Sequence, residues 1–441
     1  MAPADLAFSP ERLLQTLRGL PVPGSYRVAI SGGLDSVVLL HALHAISGKL
    51  AAPLTAVHVN HGLHGDALEW EDFCEALCAS LDIPLLSLQL ELQPLRGMSL
   101  EAMAREARYS IIAEQMAEGE MLLTAHHGDD QVETVLLQLL RGAGVTGLAA
   151  MPVLRDWQSG WLARPLLGFS RAELQAWAEK HGLRWREDPS NLETDIRRNY
   201  LRHEIVPLLR EQWPGLLATV GRSARHCGEA AAILQQVAEE DLMLVLDLAH
   251  PWQLPLPGLG VLPAERLKNL LRYWIGSRDL PVPGEQIITR ILQEVVPARE
   301  DALPQVDWEG GQLRRYRGRL YLMPSLPGVP EAGLALTWNG REDLILPAGL
   351  GKLHAREITD WLTAGVSVVF REEGMRCRLA GREGERSFKR LCQDLHIPPW
   401  LRSRMPLLVQ DGRLLALGDY GLCEPLSGEN PLVWERPEWL S

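Results

Sequence analysis

The segment SGGLDS, residues 31–36, combines residue types that suit the binding of a phosphate group. Its two glycines permit a tight turn with accessible backbone N–H groups, and the flanking apolar runs YRVAI and VVLLHAL are typical of a strand and a helix. The positive end of that helix dipole would point into the same space. A plain strand-to-helix turn is the alternative. The predicted phosphate-binding residues are Ser31, Gly32, Gly33, Leu34, Asp35 and Ser36.

The acid within this turn, Asp35, predicts a magnesium ion beside the phosphates, because Mg²⁺ accepts carboxylate and phosphate oxygens together. The turn is not a Walker A loop, since no Lys-Ser or Lys-Thr pair follows at the required spacing, and it is not GxGxxG. Residues 52–60 provide no acid to bind a ribose.

A second group of charged residues, Asp129, Asp130 and Glu133, follows the apolar run MLLTA. Their spacing of three or four residues places Asp129 or Asp130 on the same helix face as Glu133, where like charges repel and require a cation such as an ammonium group or Mg²⁺. A carboxylate there could also accept a proton from an amine. Composition by itself favours another interpretation, an acidic first helical turn stabilised by the helix dipole.

Histidines and arginines accompany these acids. His126 and His127 directly precede the cluster, and we place them near a nucleotide or a reacting base, since no third ligand type at a fixed spacing supports a zinc site. Arg105 and Arg108 lie three residues apart in a helical pattern, where they could hold a phosphate or form a solvated face. Arg105 is the stronger candidate.

The elements that must position these residues alternate along the chain. Between about residues 26 and 141, four short apolar runs are each followed by a helical pattern, which predicts an α/β fold with a parallel sheet and helices on both faces. The carboxyl ends of such strands share one edge. Because SGGLDS, NHGLHGD and AHHGDDQ follow strands, all three are expected at that edge.

The 441 residues exceed a single hydrophobic core. We predict a catalytic domain over residues 1–215, a linker helix over 216–247, a helical domain over 248–330 and a small α+β domain over 335–441. The N-terminus does not resemble a secretory signal and no apolar run could span a bilayer, so a cytoplasmic location is expected. Six widely spaced cysteines without a CxxC pair argue against a disulfide framework and an iron–sulfur cluster.

The net charge of −12 excludes a uniformly basic surface but not a local basic patch. Residues 371–404 contain nine basic and five acidic residues, a local charge of +4, which is the pattern of a nucleic-acid-binding segment. We select Arg376 and Lys389 as its contacts. Phe388 and Trp400 could stack on bases, although burial in a small core is the favoured expectation for both.

The SGGLDS turn resembles the pyrophosphate-binding loop, or PP-loop, of the N-type ATP pyrophosphatases, whose fold is Rossmann-like. Further segments resemble the tRNA(Ile)-lysidine synthetase family in order and spacing, strongly over residues 26–210 and more weakly near the C-terminus. They are NHGLH (60–64), EAMAREARY (101–109), TAHHGDDQVETVLLQLLRGAGVTGL (124–148), RPLL (164–167), EDPSN (187–191) and RRNYLRHEIVPLL (197–209).

This resemblance implies that ATP adenylates carbon 2 of the wobble cytidine in the CAU anticodon of tRNA(Ile), and that the side-chain amine of free lysine then displaces AMP. It implies roles in lysine recognition and amine deprotonation for Asp129, Asp130 and Glu133, and a place near the reaction for Arg105. Arg198 and Asn199 would contact tRNA, or lie on a solvated face, and the two C-terminal domains would bind tRNA.

Other members of the superfamily fit less well. Asparagine or GMP synthetase would need a glutaminase cysteine, but residue 2 is Ala and no cysteine precedes Cys74. A thiolase with an iron–sulfur cluster would need CxxC pairs. A non-catalytic tRNA-binding module and another tRNA-modifying or amide-forming ligase remain alternatives, and the oligomeric state stays open, with a homodimer among the options.

Overall fold

The computed structural model describes residues 7–60, 67–90, 100–187, 197–299, 302–331, 333–357, 360–363, 365–371 and 374–440. Most of the NHGLH and EDPSN motifs, including His61 and His64, lies outside the described residues. The chain forms two compact units, Met1–Ile233 and Leu234–Ser441, which we call the N-terminal and C-terminal units.

The N-terminal unit alternates strands and helices as predicted. Its strands are β1 (Ser25–Ala29), β2 (Leu54–Asn60), β3 (Leu85–Gln89), β4 (Glu120–Leu123), β5 (Leu154–Trp157) and β6 (Gly160–Ala163). Its helices are α1 (Pro10–Arg18), α2 (Leu34–Ala45), α3 (Ala67–Ser80), α4 (Leu100–Ala113), α5 (Gly128–Leu140), α6 (Val145–Leu148), α7 (Arg171–Lys180), α8 (Arg197–Tyr200) and α9 (Val206–Gln212), with a 3₁₀ turn at Ser47–Lys49 and a π-helical turn at Leu201–Ile205.

These strands form one sheet in the order β3-β2-β1-β4-β6-β5. All neighbours are parallel except the hairpin β5–β6, and Val28 of β1 lies between Ala56 and Leu123 in register. Buried side chains cover both faces, with Leu40 of α2 in one cluster and Ile112 of α4 in the other. This confirms the predicted α/β class, since a parallel sheet needs apolar cover on both sides.

The edge formed by the carboxyl ends of β1, β4 and β6 carries motifs that the sequence predicts to be functional. The SGGLDS turn follows β1, the segment Thr124–His127 follows β4, and Arg164 follows β6. His127 and Asp35 are in contact, so the first and third predicted motifs meet at this edge.

A long helix, α10 (Leu216–Val245), occupies the segment where the sequence predicts a linker helix. The C-terminal unit then contains α11 (Leu256–Leu259), α12 (Ala264–Gly276), α13 (Glu285–Arg290), α14 (Asp360–Thr363) and α15 (Phe388–Asp394), a π-helical turn at Ile291–Val295 and 3₁₀ turns at Pro347–Gly349 and Glu438–Leu440. Its strands are β7 (Gln253–Pro255), β8 (Gln305–Trp308), β9 (Gly311–Tyr316), β10 (Arg319–Met323), β11 (Ala335–Trp338), β12 (Leu344–Ile345), β13 (Lys352–Ala355), β14 (Val366–Val369), β15 (Arg376–Cys377), β16 (Arg386–Ser387), β17 (Leu407–Gln410), β18 (Arg413–Leu417), β19 (Gly421–Leu422) and β20 (Leu432–Glu435).

The first part of the C-terminal unit packs α12 and α13 against an antiparallel sheet of order β7-β10-β9-β8, with Trp274 fully buried in the core. Sequence analysis identified the helices and not this sheet, because its strands are only three to six residues long. The later sheets, β11-β14-β17-β18-β19, β12-β13-β20 and β15-β16, share a second core. The bounds of the four predicted segments remain predictions.

The last segment of the chain contains two buried aromatic residues and a disulfide. Phe388 and Trp400 are both buried in the second core, which confirms the favoured expectation. Cys377 and Cys423 form a disulfide, which the wide cysteine spacing did not predict, because an isolated β-bridge between Leu379 and Cys423 brings together residues 46 apart in the chain. Within the described parts of the chain, no helix is long and apolar enough to cross a membrane.

Candidate active site

The SGGLDS turn is held by its own serine side chains. Ser36 Oγ accepts a hydrogen bond from the backbone N–H of Ser31 at 3.2 Å and donates one to the carbonyl oxygen of Gly33 at 3.0 Å. Helix α2 begins within this segment, at Leu34, with Gly33 as its N-cap. The six predicted residues therefore form a turn and the first turn of the helix that follows, and the positive end of that helix suits an anionic group.

Side chains of helix α3 lie directly beside Gly32 in this turn. A Cβ atom on Gly32 would lie 3.3 Å from both Cys74 Sγ and Phe73 Cδ1, and the φ angle of Gly32 is +78°. The backbone N–H of Arg186 also donates to the Gly32 carbonyl at 2.9 Å. Gly32 is thus required by both conformation and space. Burial raises the pKa of Cys74 to about 12, so its thiol serves packing rather than chemistry.

A buried histidine joins the turn to helix α5. His127 Nε2 lies 3.6 Å from Asp35 Oδ2 and 3.5 Å from Asp130 Oδ2, and His127 Nδ1 lies 3.6 Å from Asp129 Oδ2. Burial alone would lower the pKa of His127, but these three carboxylates raise it above its ordinary value. Three predicted catalytic acids therefore surround one predicted substrate-binding histidine.

The acidic cluster on α5 already has cationic partners. Arg198 Nε donates to Glu133 Oε2 at 2.8 Å, and Arg202 Nε donates to Glu133 Oε1 at 2.7 Å. Both arginines also reach Asp130 Oδ1, at 3.4 and 3.1 Å. The cation that the like charges require is thus supplied by the segment after α7, and the guanidinium group of Arg198 is directed at carboxylates.

The four acids differ in accessibility. The side chain of Asp35 is 30% exposed, whereas those of Asp129, Asp130 and Glu133 are 13%, 12% and 1% exposed. Asp129 accepts from the backbone N–H of Arg171 at 2.9 Å and from the guanidinium group of Arg210. Sequence analysis did not select Arg210; the only available signal was an acidic cluster without an obvious counter-ion.

His126 has the opposite electrostatic setting to His127. Its Nδ1 is hydrogen-bonded to Thr124 Oγ1 at 2.9 Å. Burial, with the positive charges of Arg105, Arg164 and Arg198, lowers the pKa of His126 to about 3, against the opposing effect of Asp130. His126 is therefore a neutral imidazole near pH 7 and offers a hydrogen-bonding group without charge.

Three family models match this chain: one described as a PP-loop domain over residues 11–209, a TilS substrate binding domain over 254–321 and a TilS substrate C-terminal domain over 366–435. The tRNA(Ile)-lysidine synthase of Coxiella burnetii is 43% identical, over 95% of this chain and 93% of that protein. The chain belongs to the tRNA(Ile)-lysidine synthase family. Proteins of the same name from Pseudomonas aeruginosa and Alkalilimnicola ehrlichii are 41% and 40% identical, over 97% and 96% of this chain and 97% and 95% of those proteins.

Helix α4 carries two of the arginines that the sequence singles out. Arg105 is exposed, and its guanidinium carbon lies 5.6 Å from the centroid of the Tyr109 ring. Arg108 is half-buried, its Nε has no hydrogen-bond partner, and burial lowers its pKa. Arg105 is thus the group on this helix that is open to a substrate.

The carboxylate of Asp35 is the predicted ligand of a magnesium ion. Asp35 Oδ1 is buried and has no hydrogen-bond partner, so one carboxylate oxygen is free to bind a cation. Among the described residues, no group of three or more His, Cys, Asp or Glu could hold a metal ion. The donor set fits Mg²⁺ bound by one carboxylate and by phosphate and water oxygens, which is its usual environment with nucleotides.

The predicted tRNA-binding residues lie in different settings. Asn199 is buried in the N-terminal unit. In the C-terminal unit, Arg376 and Lys389 line one cavity of about 450 Å³ together with Arg371. Arg376 Nε is 3.1 Å from Glu385 Oε2, so part of the local positive charge is neutralised. Roles in tRNA binding for these residues remain predictions.

Proposed function

We propose that this chain forms lysidine in tRNA(Ile): ATP adenylates the wobble cytidine of the CAU anticodon, and the side-chain amine of free lysine displaces AMP. The observation that carries the proposal is the contact of His127 with both Asp35 and Asp130, at 3.6 and 3.5 Å. This contact joins the phosphate-binding turn to the acidic helix in a chain whose full-length relatives bear the name tRNA(Ile)-lysidine synthase.

ATP binds with its β- and γ-phosphates in the turn of residues 31–36, where backbone N–H groups and the α2 dipole stabilise negative charge. Asp35 would hold Mg²⁺, since its Oδ1 has no hydrogen-bond partner. A bound Mg²⁺ supplies charge neutralisation for the pyrophosphate leaving group. His127 orients Asp35 from the opposite side through its Nε2.

The amine of lysine lies near Asp129 and Asp130, which recognise it and accept its proton before it attacks the adenylated carbon. Glu133 belongs to the same cluster. Asp129 and Asp130 also bind arginines, but Glu133 is only 1% exposed, and its two oxygens are engaged by Arg198 and Arg202. Glu133 therefore positions Arg198 and Arg202 by accepting their hydrogen bonds. The positive charge of these guanidinium groups can offset the negative charge of the transferred phosphate. Arg105 provides further positive charge from α4, and neutral His126 faces the base.

The C-terminal unit binds tRNA through its basic segment, with Arg376 and Lys389 contacting phosphates. Such contacts contribute affinity without sequence information. The anticodon must then be read in the N-terminal unit. A cytoplasmic location belongs to this proposal, because the reaction needs tRNA, ATP and free lysine in one compartment.

The test is transfer of radiolabelled lysine to a tRNA(Ile) transcript with a CAU anticodon, in the presence of ATP and Mg²⁺. A methionine tRNA, which shares the anticodon, is the control. Acid-stable label in tRNA(Ile) alone supports the proposal. Release of pyrophosphate with no label in either tRNA would retain the ATP site and overturn the lysine and tRNA assignments in favour of another ligase reaction.

A further inference from the structure

Arg210 on α9 is the most exposed of the three arginines that bind the acidic cluster. Its side chain is 34% exposed, against 26% for Arg198 and 24% for Arg202. Arg198 and Arg202 each contact two carboxylates of the cluster. Among the described residues, Arg210 pairs with one acid, Asp129. This ion pair is the easiest of the three to break, because water competes for its charges and a single carboxylate holds the arginine.

Asp129 would keep its position without Arg210. Its Oδ2 accepts a hydrogen bond from the backbone N–H of Arg171, the first residue of α7, at 2.9 Å. The guanidinium group of Arg210 bonds to the other oxygen, Oδ1. Because the two contacts use different oxygens, departure of Arg210 frees Oδ1 while the N–H group of α7 still orients the carboxylate.

A second polar group beside Asp129 lacks a hydrogen-bond partner within the described part of the chain. His127 Nδ1 is buried and unpaired, and it lies 3.6 Å from Asp129 Oδ2, beyond the length of a hydrogen bond. The side chain of His127 is only 2% exposed. Since buried polar groups normally have a partner, an unsatisfied nitrogen at this place points to a polar ligand beside Asp129.

We propose that Arg210 holds the place of the substrate amine in the free protein, and that the side-chain ammonium group of lysine displaces it from Asp129. The exchange replaces one cation on this carboxylate by another, so its negative charge stays compensated. Arg210 thereby lowers the affinity for lysine, since only molecules with a free Asp129 oxygen can bind it. The inference rests on the proposed function, in which lysine binds near Asp129 and Asp130, and it selects Asp129 as the acid that recognises the amine.

The test is lysine transfer by Arg210→Gln, with lysine as the varied substrate. The KM for lysine should fall by about threefold to tenfold, because the competing charge is gone, while kcat and the KM for ATP stay unchanged. Arg210→Lys, which keeps the charge, should have a KM for lysine closer to that of the wild type. In an Asp129→Asn background, Arg210→Gln should have no further effect on this KM. Arg225→Gln, which breaks the exposed pair with Glu229, is the matched control and should behave as the wild type.

A KM for lysine that is unchanged or raised in folded Arg210→Gln would overturn the inference while the proposed function stands. If this variant does not fold, a crystal structure of the wild type with lysine decides: a guanidinium group displaced from Asp129 supports the exchange, and an intact Arg210–Asp129 pair contradicts it. If the wild type transfers no lysine, the proposed function fails, and calorimetry with free lysine then decides. Tighter binding to Arg210→Gln than to the wild type supports the exchange, and equal or undetectable binding overturns it.

Discussion

Arg202 Nε donates to Glu133 Oε1 at 2.7 Å, in a contact between helix α5 and the segment before α9 where the carboxylate is almost fully enclosed. We expect Glu133→Gln to lower the free energy of unfolding by about 2–3 kcal/mol, because it leaves two arginines with a weaker acceptor. Urea denaturation measures the change. The matched control is Glu229→Gln, which breaks an exposed helical pair with Arg225 and should cost under about 0.5 kcal/mol. Equal losses would show that burial adds nothing to the Glu133 contacts.

Gly32→Ala should impair the phosphate-binding turn. A Cβ at this position meets Cys74 and Phe73 at 3.3 Å, and the positive φ angle disfavours alanine. We expect the Kd for ATP to rise about tenfold or more, measured by calorimetry, since backbone N–H groups would move from their positions. Gly48→Ala is the control, because nothing lies within 4 Å of the added atom. Unchanged ATP affinity in Gly32→Ala would place the nucleotide elsewhere.

Asp35→Asn should abolish pyrophosphate release while leaving tRNA affinity within twofold of the wild type. The amide keeps the shape of the carboxylate but binds Mg²⁺ and His127 less well, because it lacks the negative charge. A coupled pyrophosphate assay and filter binding measure the two quantities. Asp72→Asn, an exposed acid on α3, should retain both. Normal pyrophosphate release from Asp35→Asn would remove Asp35 from the metal site.

His126 should make the protein less stable in mild acid. Its pKa in the folded state, about 3, lies below the unfolded value of about 6.5, so the unfolded chain binds the additional proton between these values. The stability is present in full above pH 6.5 and falls as pH decreases, by about 2 kcal/mol at pH 5. His126→Asn should remove this slope in denaturation experiments at pH 5.0 and 7.5. His226→Asn, an exposed residue of α10, should keep it.

Arg376→Glu and Lys389→Glu should each weaken tRNA binding and leave the Kd for ATP unchanged, because both side chains line a cavity in the C-terminal unit. The slope of log K against log salt should fall by about one for each lost phosphate contact. Arg413→Glu, an exposed residue of β18 in the same unit, controls for the change in net charge. A salt slope equal to that of the wild type would show that this cavity does not face tRNA.

The sequence by itself determined the α/β class, the turn between β1 and α2 that we propose binds phosphate, and the meeting of SGGLDS with AHHGDDQ at one sheet edge. These features depend on residues that are close to one another in the chain. The spacing of apolar residues, the conformation of glycine and the handedness of strand–helix–strand units are each set within some tens of residues. The burial of Phe388 and Trp400 followed from their apolar surface alone.

Only the tertiary structure decided the partners of the charged residues. Glu133 and Arg198 are 65 residues apart in the chain, and their contact depends on how α8 and the turn after it pack against α5. The middle sheet β7-β10-β9-β8 was likewise invisible in sequence. An isolated motif specifies which charges are present. Their separation, burial and pairing are set by long-range packing, which one sequence does not encode in any local pattern.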